Sequence, residues 1–196
     1  MTHDVLERWL EEVVAAPGAT ALQDPEAARP VLLEDALRAV PVLEGTTGPV
    51  VDVGSGGGSP GLPLAVALPS RNFTLLEAER RKCAFLERFA RELPNAEVVW
   101  GRAEEHSLER YGVALAKALA KPPVAIELCS PLVRRGGAVV LWLGETADRG
   151  KVEHVGELMG CRLESDSGGL VLLRKVEPTP AGFPRRPGMA KKRPLA

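Results

Sequence analysis

Val50-Val51-Asp52-Val53-Gly54-Ser55-Gly56-Gly57-Gly58-Ser59-Pro60-Gly61 decides how this chain of 196 residues is read. A short apolar run passes without a break into a glycine loop, and Leu62-Pro63-Leu64-Ala65 then starts a helix. That order, strand to glycine loop to helix, exposes backbone amides at the carboxyl end of a parallel strand, where open α/β sheets bind their ligands. Glycines there let a ligand approach the main chain closely, which makes Gly54, Gly56 and Gly58 candidate contact positions.

Outward from the loop the same grammar repeats. Short apolar runs alternate with amphipathic stretches from Pro49 onward, as in an α/β sheet. Strands are expected over 50–53, 73–77, 97–100, 113–116, 138–143 and 170–175. Residues 80–93 read as a helix with Phe85, Leu86, Phe89, Ala90 and Leu93 on one face, and Arg81, Lys82, Glu87, Arg88 and Glu92 mostly on the other. Upstream, Val5, Leu6, Trp9, Leu10, Val13 and Val14 recur at helical spacing until Pro17-Gly18. A second helix is expected from Pro25 to Val40, with Asp24 as N-cap and Pro25 at its first position. The organisation expected is an N-terminal helical cap (1–48), a Rossmann-like, mostly parallel α/β unit with helices on both faces (49–177), and a tail (178–196) whose five prolines and lack of apolar period leave it no core of its own.

Composition bounds the partners. A 45% hydrophobic content supports a sizeable core, and a net charge of −1 excludes a uniformly basic nucleic-acid binder. The charge is unevenly spread: from Arg174 onward seven basic residues face one acid, +6, so the preceding residues carry −7. Arg185, Arg186, Lys191, Lys192 and Arg193 thus form a basic tail on an acidic body, a pattern suited to an anionic partner and also common in plain solvated ends. Cys83, Cys129 and Cys161 are dispersed, odd in number and without a CxxC pair, so neither a disulfide framework nor a metal site is expected. No apolar run approaches the roughly 18 residues of a membrane span, and Met1-Thr2-His3-Asp4 is no export leader. A soluble cytoplasmic protein is expected.

The identity of the cofactor turns on two acids. Gly56-Gly57-Gly58-Ser59-Pro60-Gly61 formally matches GxGxxG, and Glu77 lies where the ribose-binding acid of a dinucleotide site would be. Asp52 argues the other way, because a carboxylate beside a pyrophosphate sets anion against anion. S-adenosyl-L-methionine, with a sulfonium and an ammonium group and no phosphate, suits Asp52 better. Glu77 would accept hydrogen bonds from ribose hydroxyls in either case.

At these residues the chain resembles the bacterial 16S ribosomal RNA guanine-N7 methyltransferases, also called glucose-inhibited division protein B. The resemblance is carried by Asp52 through Ala65 with its Pro60-Gly61-Leu62-Pro63, by Asp24-Pro25-Glu26, Thr74-Leu75-Leu76-Glu77, Arg81-Lys82 with Phe85-Leu86, and Gly101-Arg102-Ala103-Glu104-Glu105. Phe183-Pro184-Arg185-Arg186-Pro187-Gly188 and Lys191-Lys192-Arg193-Pro194-Leu195 complete it, so that it spans residue 20 to the end. It implies a class I methyltransferase fold, main-chain cofactor contacts at Gly54 and Ser59, ribose binding by Glu77, and Ala103 with Glu104 flanking the adenine. The implied partner is 16S ribosomal RNA or the small ribosomal subunit, held by the basic tail.

The chain also departs from that family's pattern. Gly112 stands where an Asp is usual before the fourth strand, Lys117 replaces the Arg of a Ser-Arg-Ala segment, Leu143 replaces a Lys, Ser59 replaces an aromatic, and Leu32-Leu33-Glu34-Asp35-Ala36 replaces His-Leu-Leu-Asp-Ser. These changes are expected to fall mainly on the RNA-facing side. Guanine N7 carries a free lone pair, so in-line attack on a methyl sulfonium needs no general base and positioning is the catalysis. Lys117 is the candidate for orienting the base. Tyr111, Trp142 and Phe183 are the aromatic platforms considered, with Trp142 better read as core and Phe183 preferred. His3, His106 and His154 are too scattered to form a constellation. Two alternatives stay open: a divergent binding or assembly module that holds the methyl donor without methylating RNA, and an NAD-dependent oxidoreductase.

Overall fold

The computed structural model describes residues 2–196, the first two of these by their main chain alone. The expectations for Met1 and for the His3 side chain lie outside the described residues. Seven strands, β1 (Val50–Val53), β2 (Phe73–Glu77), β3 (Ala96–Trp100), β4 (Tyr111–Lys117), β5 (Val133–Trp142), β6 (Cys161–Ser167) and β7 (Leu170–Lys175), form one sheet in the order β3-β2-β1-β4-β5-β7-β6. The strands from β3 across to β5 pair in parallel, and β7 pairs antiparallel with both β5 and β6. β1 and β2 are buried at every position, as strands covered on both faces must be.

Alternation along the strands sends side chains into two cores. Val50, Phe73, Leu75, Val113, Leu115 and Val140 face one, and Val51, Val53, Leu76, Ala114, Val139 and Leu141 the other. The first core is closed by α1 (Thr2–Ala15), whose Trp9, Leu10 and Val13 are buried, and by the helices that follow in the chain: α2 (Pro25–Ala28), α3 (Asp35–Leu37), α4 (Val40–Glu44), α5 (Gly61–Ala67) and α6 (Arg80–Ala90). On the other face lie α7 (Pro122–Cys129), α8 (Arg149–Leu158) and the single turn α9 (Met189–Lys192).

Three expectations need correction. The helix expected over 25–40 is capped by Asp24, whose side chain accepts from Ala27 N at 2.8 Å, but it does not run through. Arg29–Glu34 is π-helical between α2 and α3, because Pro30 has no N–H to give and the register widens so that Asp35 N reaches Pro30 O. The carbonyls this exposes are taken from outside: Lys117 Nζ donates to Val31 O at 2.5 Å and Ser59 Oγ to Leu32 O at 2.6 Å. Second, the sheet has a further strand, β6, whose Cys161-Arg162-Leu163-Glu164-Ser165-Asp166-Ser167 is a polar edge strand without an apolar run to announce it. Third, Gly112 is a packing position. It lies at the amino end of β4, where a Cβ would strike Thr47 O and approach Gly48 Cα at 3.1 Å. A side chain is excluded there by packing at the opposite end of the sheet from the glycine loop.

The tail does not hang free. Thr179 N and Oγ1 both bond Glu109 Oε1, at 2.9 and 3.0 Å. Arg185 grips both carboxylate oxygens of Glu127, a residue of α7 only 3% exposed, at 2.6 and 2.5 Å, and donates to Arg193 O at 2.8 Å. The buried Lys175, at the end of β7, spends its ammonium on Ser130 O (3.2 Å) and Met159 O (2.9 Å), carbonyls just beyond α7 and α8, where the helix dipoles favour a cation.

Candidate active site

The chain runs from β1 through β2 to β3 on one side of β1, then returns to place β4 on the other. The carboxyl ends of β1 and β4 therefore diverge, and a cavity of about 530 Å³ opens there. It gathers Gly54, Gly56, Ser59, Glu77, Ala103, Glu104 and Lys117 from loops that are far apart in sequence. Gly54 and Gly56 have φ of +72° and +56°, the left-handed conformation that turns the chain sharply after β1.

Glu77 holds this loop in shape. Its Oε2 accepts from Gly56 N at 2.9 Å and its Oε1 from Glu79 N at 2.8 Å, so one carboxylate joins the end of β2 to the glycine loop and to the start of α6. Each oxygen has a further lone pair available to a hydroxyl in the cavity. Glu77→Gln would present an NH₂ group to one of these two backbone donors. A hydrogen bond to a charged group is worth about 1.5–3 kcal/mol, so we expect S-adenosylhomocysteine affinity to fall at least tenfold, read by calorimetry. Unchanged affinity would show that Glu77 does not shape the binding loop.

Asp52 is placed differently from the expectation. It is 1% exposed and does not line the cavity; its Oδ2 accepts from Gly61 N, the first residue of α5, at 3.1 Å. Burial pushes its carboxyl up to about 7, the Glu77 charge adds to that rise, and the Gly61 amide opposes it. Gly58 is likewise outside the cavity lining. A Cβ there would meet Leu62 Cδ1 at 2.6 Å and Trp9 Nε1 at 3.0 Å. These two positions support the loop from beneath.

Lys117 lines the cavity, but it is tied down by Val31 O and by Asp35 Oδ2 at 3.3 Å, with its side chain 11% exposed. Two of its three donors are thus committed to the π-helical turn and α3, so the residue expected to orient the base lines the cavity with its ammonium already held by the fold. Arg185, expected to meet the RNA, likewise has its fork paired with Glu127. Arg186, Lys191, Lys192 and Arg193 remain exposed.

Trp142 packs on the core as expected, and neither Tyr111 nor Phe183 is an open aromatic face. Tyr111 is buried with its hydroxyl 2.7 Å from His106 Nε2, Trp142 Nε1 donates to Asp35 O at 2.9 Å, and Phe183 packs on the core. Among the described residues the exposed large aromatic is Trp100, 56% accessible, with the Arg80 guanidinium 4.0 Å above its ring. Nothing in its strand-end position distinguished it in the sequence. The N-terminal helical segment, expected only as a cap, reaches the site: Trp9, Val13 and Thr20 line the cavity, and Trp9 Nε1 donates to Gly57 O at 2.7 Å.

Which ligand fits can be asked of the amides. A dinucleotide site sets its pyrophosphate on the amides of the helix after β1. Here the Gly56 amide, in the cavity, is taken by Glu77, so a carboxylate already faces this loop donor, while the Gly61 amide is held by Asp52 beneath the loop and outside the cavity. The residues present do not suit a pyrophosphate and do suit a ligand without one.

Five parallel strands with the antiparallel β7 inserted beside β5, and a glycine-loop cavity at the switch point, define a class I methyltransferase. The solved structure of the antibiotic-resistance methyltransferase Kmr shares this fold, with a TM-score of 0.56 at 13% identity over 69% of this chain and 89% of that one. The sequence model described as GidB, rRNA small subunit methyltransferase G, matches residues 5–164, and the chain belongs to that family. It is 37% identical to the ribosomal RNA small subunit methyltransferase G of Pelotomaculum thermopropionicum, over 81% of this chain and 74% of that protein. With the protein of the same name from Symbiobacterium thermophilum it shares 35% identity over 98% and 87%. Among the described residues no helix is long and apolar enough to cross a membrane.

Proposed function

We propose that this methyltransferase uses S-adenosyl-L-methionine to methylate N7 of a guanine in 16S ribosomal RNA, acting in the cytoplasm. The observation that supports the donor assignment is the Glu77 carboxylate, which lines the cavity and takes the Gly56 amide, so that the loop sets a fixed negative group beside a ligand and favours one without phosphates. When bound, the donor supplies an electrophilic methyl on its sulfonium. The chain's own part is to orient. Gly54 and Gly56 offer main chain without side chains, Glu77 accepts from ribose hydroxyls, and Ala103 with Glu104 borders the adenine. Lys117 holds the turn carrying Val31 and Leu32 against the cavity, and so acts as a positioning residue.

No residue need remove a proton from N7. Holding lone pair and methyl in line is worth about 7–11 kcal/mol in favourable intramolecular cases. The exposed Arg186, Lys192 and Arg193 are available for phosphates, and binding through them weakens steeply with salt. Family membership favours this reading over a donor-binding module without activity, and the Gly56 amide committed to Glu77 weighs against an NAD-dependent oxidoreductase.

The test is transfer of labelled methyl to undermethylated small subunits and to their naked RNA, with the modified base identified. We expect labelled 7-methylguanine. Donor binding without transfer to either substrate would overturn the assignment of the target, and no binding of S-adenosylhomocysteine would overturn the donor assignment as well.

A further inference from the structure

The basic tail, for which the family resemblance implies a role in holding RNA, also reaches the cavity. Gly188, Ala190 and Lys191 line it, on the side of Ala103 and Glu104. Three fastenings bring them there. Gly188 N donates to Glu104 Oε1 at 2.9 Å, directly to a cavity residue. Ala190 is 2% exposed and belongs to the core beneath α7. The Arg185–Glu127 pair clamps the strap to α7 one residue before Leu128, which lines the cavity too.

We propose that residues 183–196 form a wall of the methyl-donor pocket, so that donor binding and docking of the strap are one linked equilibrium; this rests on the donor assignment above. The physical basis is the strap's own weakness. α9 is a single turn of four residues, far below the length at which a helix holds itself, so its conformation depends on the contacts it makes. A ligand that touches a locally unstable segment stabilises its docked form, and by reciprocity the docked segment strengthens ligand binding. Lys191 stands at the mouth with its side chain open to solvent, while the neighbouring Lys192 and Arg193 are exposed for phosphate. One short segment thereby touches both partners of the transfer, and a loaded pocket presents the tail's cations in a fixed place.

Limited trypsin digestion of the intact chain, with S-adenosylhomocysteine as probe, tests the linkage. Cleavage after Lys191 and Lys192 should slow several-fold at saturating probe, with cleavage after the exposed Arg91, at the carboxyl end of α6 and outside the cavity lining, as internal reference. A chain ending at Gly182 and carrying Glu127→Gln, which leaves no buried charge unpaired, should retain its circular dichroism and bind the probe at least tenfold more weakly by calorimetry. Wild-type affinity in that shortened chain, or tail cleavage indifferent to the probe, overturns the proposal. If the shortened chain does not fold, the digestion of the intact chain decides. Failure of the intact chain to bind the probe is a different result, which removes the donor assignment and the proposal with it.

Discussion

Replacing Trp9 by alanine is expected to lower the unfolding free energy by about 3–5 kcal/mol, the usual cost of emptying a buried aromatic site. Trp9 is 0% exposed, packs in the same core as α5 and β1, and gives its indole N–H to Gly57 O at 2.7 Å. In a chain of this size that loss corresponds to a fall in melting temperature on the order of 10 °C. Trp9→Phe separates the two contributions. It keeps most of the apolar contact but leaves the Gly57 carbonyl without its donor, so it should cost less stability while still loosening the loop and weakening S-adenosylhomocysteine binding. A melting temperature for Trp9→Ala close to wild type would mean that α1 is an accessory to the sheet and not part of its core.

The second large effect is a dependence on pH. The Asp52 carboxyl is raised from 3.8 to about 7 in the fold, chiefly by burial. A carboxyl raised in the native state binds its proton more tightly there than in the unfolded chain, so its contribution is full at low pH and is lost as pH rises through the folded value. Between pH 5 and pH 8.5 the loss from this one group is about 3 kcal/mol. Asp52→Asn removes the titrating group while its amide oxygen still accepts from Gly61 N. The variant should therefore be more stable than wild type at pH 8.5, with the advantage shrinking toward pH 5, as read by urea unfolding at both values. Parallel profiles for the two proteins would show that Asp52 does not titrate in this window.

Much of this molecule is legible in one dimension because it is written in local periods. The uninterrupted apolar runs of β1 and β2, the spacing of Phe85, Leu86 and Phe89, the N-cap at Asp24 and the glycines after Val53 each announce an element within a few residues of where it lies. Glu77 was equally visible, since a residue at the end of a parallel strand next to β1 must arrive at the switch point. The polar β6 escaped because an edge strand exposed to water has no apolar period to display.

What chain order could not reveal is where a side chain points once the backbone has turned. Asp52 and Gly56 sit four residues apart, yet one lies beneath the loop on Gly61 and the other faces the cavity. Lys117 and Arg185 keep the charges read in the sequence, but Asp35 and Glu127, brought in from distant segments, claim those charges for the fold. Trp9, Gly188 and Ala190 reach the cavity only because α1 and the tail pack against the sheet from opposite ends of the chain. Local sequence specifies the strands, helices and turns through backbone preference and apolar period; the partners of each polar group follow from burial, which compels a desolvated donor or acceptor to take whatever complementary atom the packed chain brings within reach.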